Sequence, residues 1–296
     1  MIDNNPETII STIPDKRVRR TKEEINALLE ASLNIINGEK NRISMRHLYY
    51  RLVGTGIIQK TDQECANLYH QLSKWRRAGN IDYGSFTDST RRRIGSTLFD
   101  SMEDALQETI DSYRRNMWET QNDYVEIWCE KDAIAPIIYN VADTFGVTTS
   151  VCKGNASLTS LYSASELFKE KQEEGKQVFI HYFGDHDPYG VNMDKKIQES
   201  LADDFGCVNI NFEREAILPW QIEKYKLLTR PLKNPDKHKD WEGECVEIDS
   251  LATSVIEAMV SGCIVQHIDY EEFNKLKVIE REEKKRIEEI IQSSRN

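Results

Sequence analysis

Apolar positions along this chain follow two periods, one in each half. Ile25, Leu28, Leu29, Leu33 and Ile36 recur at helical spacing, and Thr21-Lys22-Glu23-Glu24 in front of them is a capping-box pattern. A helix is therefore expected from there to about Asn37, before Gly38. Ser44 caps a short second helix that Gly54 and Gly56 end. Thr61-Asp62-Gln63-Glu64 opens a third, which carries Leu68, Leu72 and Trp75 and stops at Ala78-Gly79. Ile81-Asp82-Tyr83 is then short and extended. Residues 1–20 lack periodicity and read as a loose arm.

From about Gln121 the pattern changes. Tyr124 to Cys129, Val147 to Cys152, Gln177 to Tyr182 and Cys207 to Phe212 read as strands. Between them, Asp132 to Phe145, Ser157 to Lys171 and Val191 to Phe205 read as helices. Strands alternating with helices predict an α/β fold with a parallel sheet. Leu98 to Trp118 is expected to be a mostly helical linker of about 20 residues, spanning roughly 30 Å at 1.5 Å per residue. Leu218 to Tyr225 reads as a short helix and Asn234 to Glu244 as a loop. A helix is expected to open at Glu247 and run towards Val265, and another covers Asp269 to Ser294.

Two predicted strands end in carboxylates. Glu130 follows the first, and Asp185 and Asp187 follow the third, 55 residues further on. In extended chain, residues i and i+2 point the same way, so Asp185 and Asp187 aim past the strand's carboxyl end, where ligands of open α/β sheets bind. An isolated Asp-x-Asp is more often a solvated turn. A second acidic strand end shifts the reading to a hard divalent cation, which takes oxygen ligands and substrate phosphates. On that reading the three acids repel, and removing any one is expected to stabilise the metal-free protein. Glu247 could serve as an outer-shell acid, but a helix first turn attracts acids anyway, so it is not counted among the ligands. Lys153-Gly154 before a helix is a weak phosphate-site pattern.

Net charge is −11, yet residues 1–100 hold 16 Lys and Arg against 12 Asp and Glu, a balance of +4. The remainder holds 23 against 38, or −15. The basic residues cluster at Lys16 to Arg20, at Lys74, Arg76 and Arg77, and at Arg91, Arg92 and Arg93. Such clusters are the footprint of phosphate contact, although each alone is ordinary surface. None of the six cysteines forms a C-x-x-C pair, which argues against structural zinc; they read as reduced, buried thiols. No apolar run approaches the roughly 18 residues of a membrane span, and Met1 to Pro14 has no signal-peptide pattern, so a cytoplasmic protein is expected.

Glu130 with Asp185-x-Asp187 at successive strand ends resembles the Toprim domain, the Mg²⁺-binding unit of topoisomerases, primases and some nucleases. Glu130-Lys131-Asp132-Ala133, the stretch Asp185 to Gly190 and the stretch Ile217 to Tyr225 look more specifically like the topoisomerase VI A subunit and its meiotic double-strand-break relatives. The N-terminal half adds to this. Ser44-Met45-Arg46-His47-Leu48-Tyr49-Tyr50 is similar to that family's nucleophile helix, Ser/Thr-x-Arg-acid-aliphatic-aromatic-Tyr, except that His47 replaces the acid. Standing alone, Tyr50 would read as a core aromatic.

The resemblance, over roughly residues 40–265, implies a winged helix-turn-helix domain at 21–120 and a Toprim domain at 121–296. It implies Tyr50 as nucleophile, with Arg46 one turn away on the same helix face. Glu130, Asp185 and Asp187 would hold Mg²⁺, for which Mn²⁺ substitutes. The implied reaction is DNA cleavage through a 5′-phosphotyrosyl linkage by a homodimer on double-stranded DNA. There the linker holds Tyr50 away from its own acids and offers it to a partner's. The chain looks most like the compact stand-alone forms termed Mini-A. No Walker A loop is present, so any ATPase the reaction needs is expected on another chain. Two other classes stay open: a Toprim nuclease that hydrolyses nucleic acid with metal-activated water, and a winged-helix DNA-binding protein without chemistry.

Overall fold

The computed structural model describes residues 20–39, 42–86, 97–152, 157–232 and 235–293. Three helices come first. In α1 (Lys22–Gly38) the capping box forms as expected: the Thr21 hydroxyl accepts from the Glu24 amide and the Glu24 carboxylate accepts from the Thr21 amide. Ser44 caps α2 (Met45–Gly54) and Thr61 caps α3 (Asp62–Arg77). Leu28, Leu48, Leu52, Leu68, Leu72 and Trp75 join the three into one apolar core. Each such side chain contributes roughly 1.5–3 kcal/mol on burial. The extended piece after α3 returns beside the start of α2, where Ile43 and Phe86 form a single parallel bridge. Residues 87–96, with Arg91, Arg92 and Arg93, lie outside the described residues. Lys153 and the basic residues before Arg20 lie outside them too.

The second half is the expected α/β unit. β1 (Asp123–Cys129), β2 (Thr148–Val151), β3 (Gln177–Phe183) and β4 (Ile210–Ala216) form one parallel sheet in the order β2-β1-β3-β4. Side chains alternate across it. Val178, Ile180 and Tyr182 of β3 pack with Phe168 of α6 (Leu158–Glu173) and with Met193 and Ile197 of α7 (Pro188–Glu199). Phe183 faces the other side, with Ile138 of α5 (Ala135–Ala142) and Ile256 and Val260 of α9 (Thr253–Val265). Between these last lies α8 (Pro219–Lys224), and α10 (Tyr270–Ser293) closes the chain.

Several boundaries differ from the sequence expectation for local reasons. Helix α5 starts at Ala135, with Pro136 in the first turn that tolerates it. Strand β4 begins at Ile210 because Gly206 and Asn209 sit at φ 62° and 60° and keep the chain turning. After Glu247 there is a single 3₁₀ turn, Ile248–Ser250, and α9 starts only at Thr253. In the linker, α4 (Met102–Ser112) is 11 residues long, about 16 Å at 1.5 Å per residue. Tyr113 and Arg115 then tie the chain to Glu283 of α10, at 2.6 and 2.8 Å. This connection folds back on the α/β unit and does not form a 30 Å spacer. No helix among the described residues is long and apolar enough to cross a membrane.

Candidate active site

β1 and β3 pair in register, with Cys129 opposite Phe183, so Glu130 emerges beside the loop after β3. Its Oε2 accepts from the Asp185 amide at 2.9 Å. Asp187 caps α7: its Oδ1 accepts from the amides of Tyr189 and Gly190 at 3.0 and 2.8 Å. Gly190 is required there, because a Cβ would run into the Asp185 carbonyl. Arg214 of β4 clamps this loop. Its guanidinium donates to the carbonyls of Gly184, Asp185 and Gly190 at 3.0, 3.1 and 3.0 Å and pairs with Asp194. A planar guanidinium presents five donors in a fixed fork, so one side chain bridges these carbonyls and the Asp194 carboxylate.

The two aspartates carry counter-ions. Asp185 Oδ2 lies 2.8 Å from Lys131 Nζ, and its Oδ1 accepts from the Ile248 amide at 2.9 Å. Asp187 Oδ2 accepts from Arg230 at 2.6 Å. Glu130 is less well compensated: burial, then the facing Asp185 and, more weakly, Asp187 push its carboxyl up to about 7, against the Asp185 amide and Lys131. Burial likewise pushes Asp185 up, against the pull of Lys131.

Tyr50 reaches the same place from the N-terminal unit. Arg46 donates to its hydroxyl at 3.1 Å, as the i, i+4 spacing predicts. The hydroxyl in turn donates to Glu247 of the same chain. Glu247 is a hub: Arg46 lies 3.5 Å away, Lys60 3.9 Å, Lys131 3.3 Å and Arg230 3.4 Å. Burial works against its ionisation, but Lys131, the Tyr50 hydroxyl, Lys60 and Arg46 together hold the carboxyl down to about 2. Burial and then Glu247 push the Tyr50 phenol above its usual range, with Arg46 opposing. Asp249, fully buried, completes the network at 3.2 Å from Lys131 and 3.5 Å from Arg46. Beside Tyr50 a cavity of about 330 Å³ is lined by Arg46, Lys60, Cys65, Arg230 and Glu247. His47, at the position where the nucleophile-helix pattern has an acid, is fully buried and meets Thr253 of α9 at 3.0 Å. It joins the two halves and does not face the cavity lining.

The structure thus brings five expected residues, Tyr50, Arg46, Glu130, Asp185 and Asp187, to one edge of the sheet within a single chain. It does not set Tyr50 apart from its own acids. The three acids offer only oxygen donors, and the less compensated charge around Glu130 suits a hard cation. They do not bring three oxygens within 4.8 Å of one another, because Lys131 and Arg230 hold the aspartates. Of the basic residues expected to meet nucleic acid, Lys74 and Arg77 are exposed at the end of α3. Arg76 is turned inward, its guanidinium 4.6 Å from the Tyr83 ring centre and 5.5 Å from that of Phe86.

Sequence reasoning set Glu247 aside and missed Asp249, Lys131, Lys60, Arg230, Arg214 and Asp194. Glu247-Ile248-Asp249 repeats the acid-x-acid spacing of Asp185-His186-Asp187, and Lys131 adjoins Glu130, so these had a signal. Lys60, Arg230 and Arg214 had none, since only the fold brings them in. A scan against protein-family models and searches of curated proteins and of solved structures give no match.

Proposed function

We propose that this chain cleaves double-stranded DNA by transesterification, with Tyr50 as the nucleophile. The observation that carries the reading is the convergence of Tyr50 with Arg46, Lys60, Lys131 and Arg230 around one acidic strand edge. Four cations beside a tyrosine hydroxyl form a seat for a phosphodiester, and here they are held in place by Glu247. On this reading α1 to α3 belong to a winged helix-turn-helix that presents Lys74 and Arg77 to the backbone, and the sheet is a Toprim domain. Two copies, as a homodimer, cut the two strands of one duplex.

In the step, the Tyr50 oxygen forms a bond to phosphorus and the bond to the 3′ oxygen breaks. The product is a 5′-phosphotyrosyl linkage and a free 3′ hydroxyl. The phenolic proton has Glu247 as its hydrogen-bonded acceptor. A phosphate that engages Lys131, Lys60 and Arg46 draws them from Glu247, which raises its basicity when the proton must move. Arg46 then faces both the phenolate and the phosphate. Glu130, Asp185 and Asp187 would hold Mg²⁺ or Mn²⁺, with Lys131 and Arg230 released to the substrate. The ion would polarise the phosphoryl group and stabilise the leaving oxygen.

One observation favours a second reading. The resting Tyr50 phenol is buried, bonded to Glu247 and held protonated. If it stays so with DNA bound, the acids act as a metal-dependent hydrolase and Tyr50 only packs. Labelled duplex incubated with the protein and Mg²⁺, then separated under denaturing conditions, distinguishes the two by the presence or absence of protein-linked strands.

A further inference from the structure

A second group of donors, on β3, β4 and α9, shares no side chain with the site above. His181 of β3 is fully buried and lies four residues before Asp185, about 13 Å along the chain at 3.3 Å per residue. Glu215 of β4 and Cys263 of α9 come to it from neighbouring elements. One ring nitrogen of His181, a Glu215 oxygen and the Cys263 Sγ all lie within 4.8 Å of one another. His181 Nδ1 is 2.7 Å from Glu215 Oε1 and 3.8 Å from Glu213 Oε2. Glu213 is half exposed and Glu215 partly so, which opens the group to solvent on one side.

The far side of His181 is equally organised. Its Nε2 is 2.9 Å from the Nε2 of His267, whose Nδ1 is 2.7 Å from Asp123. Counting hydrogens along this line identifies what is missing. A carboxylate accepts only, so Asp123 needs a proton on His267 Nδ1 and Glu215 needs one on His181 Nδ1. The contact between the two Nε2 atoms needs a third. Two neutral imidazoles supply two protons between them. The line closes if one imidazole or one of the two carboxyl groups carries the extra proton, or if a cation takes the place of the proton between His181 Nδ1 and Glu215.

We propose that His181, Glu215 and Cys263 bind a divalent transition-metal cation, zinc by preference, with Glu213 or water in the fourth position. With the metal on His181 Nδ1, His181 Nε2–H donates to His267 and His267 Nδ1–H donates to Asp123, and both rings are neutral. That is the orientation chain that metal-bound histidines use, a ring N–H passed on towards a carboxylate. Imidazole, carboxylate and thiolate suit zinc rather than Mg²⁺. Zinc with two anionic ligands is neutral, which suits a half-buried position. The Cys263 thiol now donates to the Val260 carbonyl at 3.2 Å. On binding, its proton leaves and the sulfur bonds to the metal. The ligands are separated by 34 and 48 residues on three elements, so no short cysteine–histidine spacing announces them. The inference is independent of the DNA-cleavage reading.

The test is metal titration of the full chain by competition with a chromophoric chelator, followed by cobalt substitution. The wild type should bind one equivalent of Zn²⁺ tightly enough to survive gel filtration, and Co²⁺ should give a thiolate-to-cobalt charge-transfer band. C263S should fold, lose that band and bind Zn²⁺ at least tenfold more weakly, from roughly the 10–100-fold range that even outer-shell losses cause. H267Q should weaken binding within that range. Absence of stoichiometric zinc, or a charge-transfer band that persists in C263S, overturns the proposal. The wild-type cobalt spectrum reads sulfur ligation by itself, so the result does not hang on a variant folding.

Discussion

The Tyr50 hydroxyl donates a hydrogen bond to Glu247, 197 positions further along the chain. This contact fixes α2 against the acidic edge of the sheet and makes Glu247 the shared partner of four cations. Glu247→Gln keeps the shape and removes the charge. Lys60 then loses its ion-pair partner, while Lys131 and Arg230 keep Asp185, Asp249 and Asp187, so a loss of up to about 3 kcal/mol is expected. A fall in Tm together with loss of cleavage is expected in calorimetry and in a strand-cutting assay. An unchanged Tm would show that Glu247 is not the hub.

The pH dependence of stability should have two limbs. Glu247 is held at about 2, below the usual 4.5, so its contribution is present above pH 4.5 and is lost as pH falls towards 2. At about 1.4 kcal/mol per pKa unit its ceiling is about 3 kcal/mol. Glu130 is raised from 4.5 to about 7, so stability present below pH 4.5 is lost as pH rises through 7. Denaturant unfolding across pH 3–8 checks this. Glu130→Gln should flatten the upper limb only, and Mg²⁺ should restore wild-type stability near pH 7. If Glu130→Gln leaves the upper limb intact, Glu130 is not the group responsible.

The three acids should not behave alike in the metal-free protein. Charge repulsion alone makes every removal stabilising, but Asp185 accepts from Lys131 and from the Ile248 amide. Asp185→Asn is therefore expected to stabilise less than Glu130→Gln, because it gives up the Lys131 pair while Lys131 retains Glu247 and Asp249 as partners. Glu130→Gln is expected to stabilise. Equal shifts of the same sign in the two variants would contradict this assignment.

Mixing experiments separate a site within one chain from one shared across a dimer. Tyr50 and Arg46 already meet Glu247 and Asp249 of their own chain, and Arg230 links Glu247 to Asp187. Mixed Tyr50→Phe and Asp187→Asn proteins should therefore stay inactive under conditions where subunits exchange. Nicking restored by mixing would show that the acids of a partner serve Tyr50, as the family resemblance alone implies.

Much of the fold was legible because local rules are strong where patterns are long. Thr21 to Glu24, Ser44 and Thr61 announce three helix starts, and the apolar runs at Tyr124 and Gln177 announce paired strands. The strand-end acids followed from position alone. What stayed hidden depends on distance in the chain. Glu247 looked like a helix first-turn acid, yet the Ile248 amide is anchored by Asp185 and the helix starts six residues later, at Thr253. Arg230 and Lys60 sit in segments without periodicity, and nothing in their neighbourhoods marks them as partners of Asp187 and Glu247. The linker was misjudged because its polar composition permits a helix, while the pairing of Tyr113 and Arg115 with Glu283 ends it early.

The most direct test of the central claim is capture of a covalent adduct. End-labelled duplex DNA is incubated with wild type or Tyr50→Phe in Mg²⁺ or Mn²⁺, denatured and run with and without protease. The Phe variant keeps the ring and its place in the core of α1 to α3, so the fold should persist, as circular dichroism can confirm. Wild type should give labelled strands that move freely only after proteolysis, with the protein on the 5′ end, and Tyr50→Phe should give none. Cutting by Tyr50→Phe at the wild-type rate, without adducts in either protein, would contradict the nucleophile assignment and establish the acids as a hydrolase.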